Sequence, residues 1–454
     1  MSIMQSEDKS RTRKSKKTLQ TAREAGYLGK KVLEKAIRAR EEGRPVAWSM
    51  FLWYHDLIAK ALGVEVIFPE NYGAFCASVR KAEPYLERSD ADGFPSSICG
   101  YARTVIGYTS MLAGNNMVAP PGAPGGGMPK PTVFLARAAA CDTGSKWFQA
   151  LGRYMDVPVW LLELPHTGVK EFYLPGNKEL NIQFVKDELK KFVFFLENLL
   201  GTKMDWDRLR EMVDQTLKTL RLAYEVDLLR RAIPSPMISQ DFWAILIAHL
   251  YMPEDPEATK FYKRVYDEVK YRVDNGIGAI PNERYRMMFA ELPPWHSLGI
   301  FDDLADKFGI AMVMESWGYH VISPIPEEEI ENIKDPLEII ARMSYRMWSQ
   351  HNDSALAYGA GPAYFMASYL RWAKEYKVDG FFGHPLMTCR AATYTLLYIK
   401  DLLVEKLKVP GVIVEGDIVD LRVFNEEEAF SKMEAFLEIM DHYRGIRKKE
   451  GLNW

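Results

Sequence analysis

Eight short apolar runs in two groups constrain this chain more than any other feature. The first group is Arg44 to Ser49, Val64 to Glu70, Val133 to Ala138 and Val157 to Leu164. The second is Arg286 to Leu292, Ile310 to Glu315, Val378 to Gly383 and Val412 to Gly416. Each has the length of a strand, reads as nearly continuous apolar sequence and ends in polar, Gly or Pro punctuation. Strands of that kind, separated by helical patterns, belong to parallel sheets covered on both faces. Between the groups, Asn181 to Tyr271 carries only long 3.6-periodic stretches with no strand candidate. The expectation is an α/β protein with two parallel-sheet domains joined by a helical bridge. Its parts are a basic arm and N-terminal helix (1–43), a first α/β domain (44–180), the bridge (181–280) and a second α/β domain (281–454).

Composition excludes several function classes. With 454 residues, 48% of them apolar, the chain can bury ordinary cores without staples. The 58 basic and 61 acidic side chains nearly cancel, leaving a net charge of −3 and no general electrostatic case for nucleic acid. The longest apolar run, Phe242 to Met252, contains His249 and is far shorter than the ~20 residues of a membrane-spanning helix. The first seventeen residues carry six basic groups from Lys9 to Lys17 and no apolar signal core, so a cytoplasmic home is expected. Residues 1–20 are read as a solvated arm, turning helical over Thr18 to Glu41.

Four cysteines, Cys76, Cys99, Cys141 and Cys389, are then core thiols or metal ligands rather than disulfides. Cys99 opens a helical pattern, where a helix N-terminus favours a thiolate. Cys141 and Cys389 each follow the third strand of their group, and ligands of open α/β sheets gather beyond the strands' carboxyl ends. No C-x2-C pair is present, so spacing alone leaves both readings open; Cys76, within FCASVR, reads as core. Ser49, Glu70, His166 and His384 also fall at strand ends. Glu70 follows Pro69, which ends the strand and leaves a carboxylate at the rim, either solvated or carrying protons. His384, five residues before Cys389, is either structural or a proton donor. Glu415 and Asp417 are expected to pair with Arg422. The loop Ala119 to Pro131 is rich in glycine and proline but is no P-loop, and no G-x-G-x-x-G follows a strand, so the chain shows no nucleotide site of its own.

These residues also carry a resemblance. GRPVAWS, VIFPENYGA, SSICGYAR, the Cys141 stretch ending in KWF, KVDGFFGHPLMTCRA and EGDIVDLRVFN occur in this order from about Arg44 to Asn425. Together they resemble the benzoyl-CoA reductase / 2-hydroxyacyl-CoA dehydratase family, and within it the larger cluster-bearing subunit of the ATP-dependent benzoyl-CoA reductases. The resemblance implies two flavodoxin-like domains with a [4Fe-4S] cluster between them, held by Cys99, Cys141 and Cys389, one iron being left open. It implies that Ser49 helps hold the thioester and that Glu70 acts in proton transfer, beside His384 as the expected proton donor. It further implies an aromatic acyl-CoA substrate reduced to a cyclic dienoyl-CoA, a smaller homologous cluster-bearing subunit, ATP-hydrolysing activator subunits and a ferredoxin-like donor. The ARAAACD stretch departs from the dehydratase pattern, and Arg390 and Ala391 directly follow the third cysteine; both incline the reading toward the reductase. A dehydratase subunit, or a subunit that only relays electrons, is the alternative.

Overall fold

The computed structural model describes residues 15–51, 53–138, 141, 143–165, 174–319, 324–358, 364–452 and 454. Eight strands form two four-stranded sheets. The first contains β1 (Val46–Ser49), β2 (Glu65–Ile67), β3 (Val133–Arg137) and β4 (Val159–Leu162) in the order β2-β1-β3-β4. The second contains β5 (Tyr285–Ala290), β6 (Ile310–Glu315), β7 (Gly380–Gly383) and β8 (Gly411–Ile413) in the order β6-β5-β7-β8. Every pairing is parallel, with Ala47 opposite both Val66 and Val133, and Ala290 opposite Gly383. Both sheets therefore have the flavodoxin-like 2-1-3-4 order, whose switch point lies where the chain leaves the first strand for neighbours on either side. All residues of β1, β3, β5, β6 and β7 are buried, which is why these runs do not alternate. The edge strands β4 and β8 are largely half-buried.

Four helices, Asn177–Leu200, Trp206–Leu229, Ser239–Tyr251 and Pro256–Asp274, occupy the stretch without strands. Their ends follow from local chemistry. Gly201 closes the first in the left-handed region (φ 65°), Asp205 accepts the Arg208 N–H at 2.9 Å, and Asp255 accepts the Glu257 N–H ahead of Pro256. The helix Ser239–Tyr251 is buried nearly all round, so its apolar run is core. His249 within it is held by the Tyr262 hydroxyl and kept neutral, its pKa lowered to about 3 by burial. No helix among the described residues is long and apolar enough to cross a membrane.

A buried ion pair fastens this helical layer to the second sheet. Arg230 reaches both carboxylate oxygens of Glu315, at 2.7 and 2.8 Å, and also the Val313 carbonyl. The Ser239 hydroxyl donates to the same carboxylate.

The N-terminal segment differs from the expected solvated arm. From residue 15 onward it is strapped to the core: the Thr18 N–H and hydroxyl donate to Asp241 at 2.6 and 2.5 Å, the Lys16 N–H donates to Asp302, and Arg272 binds the Thr18 carbonyl. The two carboxylates supply anchors that a basic composition alone does not disclose. Residues 1–14 lie outside the described residues.

The Gly/Pro loop is a structural cover. Gly125, Gly126 and Gly127 have φ of 64°, 85° and 83°, and a Cβ on Gly127 would stand 2.5 Å from the Tyr108 hydroxyl. That hydroxyl donates to the Met128 carbonyl, while Trp48 donates to that of Pro129.

Candidate functional site

Side chains following the strands' carboxyl ends connect the two halves. Phe51, after β1, packs edge-on against Trp317, after β6, at 5.5 Å between ring centres. Trp295, after β5, donates to the Tyr101 hydroxyl in the helix Gly100–Gly114. The Gly100 N–H donates to the Thr388 hydroxyl at 3.2 Å, and Thr388 donates in turn to Asp417. The other Asp417 oxygen accepts the N–H groups of Val419 and Asp420 at 2.8 and 2.9 Å. Asp417 is thus a loop organiser. The expected pairing with Arg422 is corrected: Arg422 forms a two-point ion pair with Asp420, and Glu415 is exposed.

This framework carries the three cysteines. Cys99 is the N-cap of Gly100–Gly114, Cys389 the N-cap of Arg390–Thr393, and Cys141 lies just ahead of Gly144–Met155. All three are half-buried. Burial pushes the Cys99 thiol well up, and the charges of Cys141 and Cys389 push it further, so the three sulfurs are electrostatic neighbours. Helix-end amides oppose the rise: Ala102 donates toward Cys99, Gly144 and Thr143 toward Cys141. Among the described residues, no three His, Cys, Asp or Glu side chains stand close enough to hold a single metal ion. A four-iron cluster spaces its thiolates more widely, and three soft donors, two of them with amide N–H groups directed at the sulfur, fit such a group. Cys76 is buried in the helix Pro69–Ser78 with its thiol raised to about 12, a core residue as expected.

Beside Cys141 stands a second constellation. Ser49 ends β1 fully buried, its hydroxyl donating to the Met50 carbonyl at 3.1 Å and lying 3.2 Å from His55 Nε2. Glu70 is not at a solvated rim, which corrects the expectation: Pro69 starts a helix, and the carboxyl turns inward, 5% exposed. Neither carboxyl oxygen meets full hydrogen-bond geometry among the described residues, although the N–H groups of Glu70 itself and of Phe51 point toward them. Desolvation outweighs these amides and the Arg137 charge, and raises the pKa to about 8. Burial thus favours the protonated form of Glu70. Arg137, the last residue of β3, is buried and feels both Cys141 and Glu70. The sequence reading missed Arg137 because it sits inside an apolar run, and it missed His55 because a loop histidine has no periodicity.

His384, expected to be structural or a proton donor, is held by its neighbours. It is buried one residue past β7, its Nδ1–H donating to the Val414 carbonyl at 2.8 Å, which fixes the tautomer. Phe289 and Phe424 pack on it with ring centres 5.9 and 5.8 Å away. Burial lowers its pKa to about 4, so the ring is neutral, and Nε2 has no hydrogen bond among the described residues. In this tautomer Nε2 is the unprotonated nitrogen. His166 lies outside the described residues.

The family model described as 2-hydroxyglutaryl-CoA dehydratase, D-component, matches residues 53–440. The chain is 23% identical over 417 residues to the (R)-2-hydroxyisocaproyl-CoA dehydratase alpha subunit of Clostridioides difficile, covering 91% of this chain and 95% of that one. It is 24% identical over 368 residues to a benzoyl-CoA reductase subunit of Thauera aromatica, covering 78% of each. With the (R)-2-hydroxyglutaryl-CoA dehydratase alpha subunit of Acidaminococcus fermentans it shares 20% over 481 residues, covering 90% of this chain and 95% of that one.

Proposed function

Because the chain belongs to the 2-hydroxyglutaryl-CoA dehydratase D-component family, we propose that it is the iron–sulfur subunit of an ATP-dependent benzoyl-CoA reductase. In this reading Cys99, Cys141 and Cys389 hold a [4Fe-4S] cluster. Bound there, the cluster supplies electrons at low potential. The chain's own residues do the rest. Ser49, at the switch point of the first sheet, positions the thioester with its buried hydroxyl. Glu70 holds a proton at neutral pH and gives it to the reduced acyl group. Arg137 steadies the carboxylate that remains, at the moment when a buried negative charge would otherwise be costly.

The observation that carries this reading is the buried Glu70 carboxyl, turned inward beside Arg137 and Cys141 with neither oxygen in full hydrogen-bond geometry among the described residues. Reduction of an aromatic thioester needs an acid, and Glu70 offers one in its protonated form. No nucleotide motif occurs in the chain, so ATP is used by activator subunits. A smaller homologous cluster-bearing subunit and a ferredoxin-like donor complete the assembly. The relatives are themselves named as subunits, which supports the multi-subunit character.

The dehydratase reading is favoured by the longer coverage of the dehydratase alpha subunits. Incubating the anaerobic complex with benzoyl-CoA and a 2-hydroxyacyl-CoA in parallel separates the two. Consumption of benzoyl-CoA with dienoyl-CoA formation is expected; consumption of the 2-hydroxyacyl-CoA alone would replace the reductase by a dehydratase.

A further inference from the structure

The second sheet repeats the layout of the first, and a carboxyl group follows its central strand. Ser49 ends β1, and Glu291 directly follows β5, the corresponding central strand. Backbone strain marks both places. Trp53 and Tyr54, in the loop after β1, have φ of 74° and 56°, and Glu291 has φ of 72°, a conformation that side-chain-bearing residues adopt at a cost. The strained turn is held in place: the Glu291 N–H donates to the buried Ser316 hydroxyl at 3.0 Å, and the Tyr369 hydroxyl donates to the Glu291 carboxyl at 3.1 Å.

The surroundings connect this group to the site already described. Ser316 precedes Trp317, Trp317 packs on Phe51, and the Phe51 N–H points at Glu70. Trp295, four residues past Glu291, donates to Tyr101 in the helix capped by Cys99, so the turn after β5 leads to the thiol framework. Described groups near Glu291 leave it without a compensating charge. Glu315 on β6 is taken by Arg230, His384 beyond β7 is neutral, and Tyr369 on the helix Tyr364–Glu375 offers only a hydroxyl. Glu291 is half-buried, and desolvation accordingly raises its pKa to about 7.

We propose that Glu291 is a second proton donor of the acyl-CoA site, acting from the second sheet while Glu70 acts from the first. This rests on the acyl-CoA reading above. Two protons are needed when an acyl group takes up two electrons from a low-potential iron–sulfur donor, and two acids on different walls can serve two atoms of one substrate. At Glu291 the carboxyl O–H bond breaks as a C–H bond forms at a carbon of the reduced ring. The carboxylate left behind keeps the Tyr369 hydrogen bond until solvent returns a proton.

Infrared difference spectroscopy of the anaerobic complex, with and without benzoyl-CoA, tests this directly. Equilibrium dialysis of benzoyl-CoA and of a 2-hydroxyacyl-CoA runs alongside. The expected result is a protonated-carboxyl band near neutral pH that shifts when acyl-CoA binds, disappears in Glu291→Gln and moves in Tyr369→Phe. Glu291→Gln should also lower kcat by about 10²- to 10⁴-fold with KM little changed, and Glu291→Asp should restore part of it. An unshifted band with acyl-CoA bound, or full turnover in Glu291→Gln, overturns the role of Glu291 alone. Failure of both acyl-CoAs to bind overturns it together with the reading on which it rests.

Discussion

The N–H of Gly100 donates to the hydroxyl of Thr388 across 3.2 Å, joining loops nearly three hundred residues apart in sequence. Each partner adjoins a cysteine, Cys99 on one side and Cys389 on the other, so this single hydrogen bond sets the spacing of two thiols.

Gly100→Ala is expected to disturb that spacing. Its Cβ would lie 2.5 Å from Asp417 Oδ1 and 3.1 Å from Val419 Cβ, and Asp417 cannot retreat without giving up its amide donors. Overpacking of this kind costs about 1–3 kcal/mol. The variant should melt earlier in denaturant and bind less iron after anaerobic reconstitution. Unaltered iron content would show that the two loops are not coupled through this contact.

Glu70→Gln separates stability from function. The folded pKa of about 8 exceeds the carboxylate reference of 4.5, so the folded state binds more protons between these values. The contribution of Glu70 to stability is then fully present below about 4.5 and is lost as pH rises through about 8. The glutamine variant lacks this penalty and should be more stable than the parent at pH 8 by at least about 1 kcal/mol, one pKa unit being worth ~1.4 kcal/mol. Its turnover should nevertheless drop about 10²- to 10⁴-fold. Urea titrations at pH 5 and pH 8, paired with rates, check both signs.

For His384 the prediction is the reverse. Its folded pKa of about 4 lies below the reference of 6.5, so the unfolded chain takes up the proton first as pH falls. Stability is lost from about 6.5 down to 4, and His249 and His296, with pKa values of about 3 and 4, add to the loss. His384→Asn should cost about 1–3 kcal/mol through the orphaned Val414 carbonyl and leave turnover within a few-fold. A hundred-fold loss of turnover with stability intact would restore His384 as a proton donor.

The buried pair Arg230–Glu315 offers a stability test away from the site. Arg230→Met should cost about 3–5 kcal/mol because it strands the Glu315 carboxylate. Arg230→Met with Glu315→Leu should recover much of that loss. Strict additivity of the two single losses in urea titrations would deny the coupling.

The two sheets were legible because a parallel sheet covered on both faces leaves continuous apolar runs, and all eight of these are strands. The cysteines' positions were legible for the same reason, since strand ends locate loops. What the sequence hid depends on contacts distant along the chain. Glu70 reads as a rim residue until Pro69 starts a helix that turns it under Phe51 and Arg137. His384 is held by the carbonyl of Val414, thirty residues away. Asp417 and Arg422 lie at ion-pair spacing, but Asp420 is nearer to the guanidinium, and Thr388 and two amides claim Asp417. Glu291 carries no local signal, because its strain and burial arise only when the helix Ser316–Tyr319 and Tyr369 close around it.

The three thiols are the most direct point of test. Iron and acid-labile sulfide should be measured in the anaerobically reconstituted chain, and in Cys76→Ser, Cys99→Ser, Cys141→Ser and Cys389→Ser. One [4Fe-4S] cluster is expected in the parent and in Cys76→Ser, with loss of most of the iron in each of the other three. Full iron and sulfide retained in Cys99→Ser, Cys141→Ser or Cys389→Ser would contradict the assignment of that thiol as a cluster ligand.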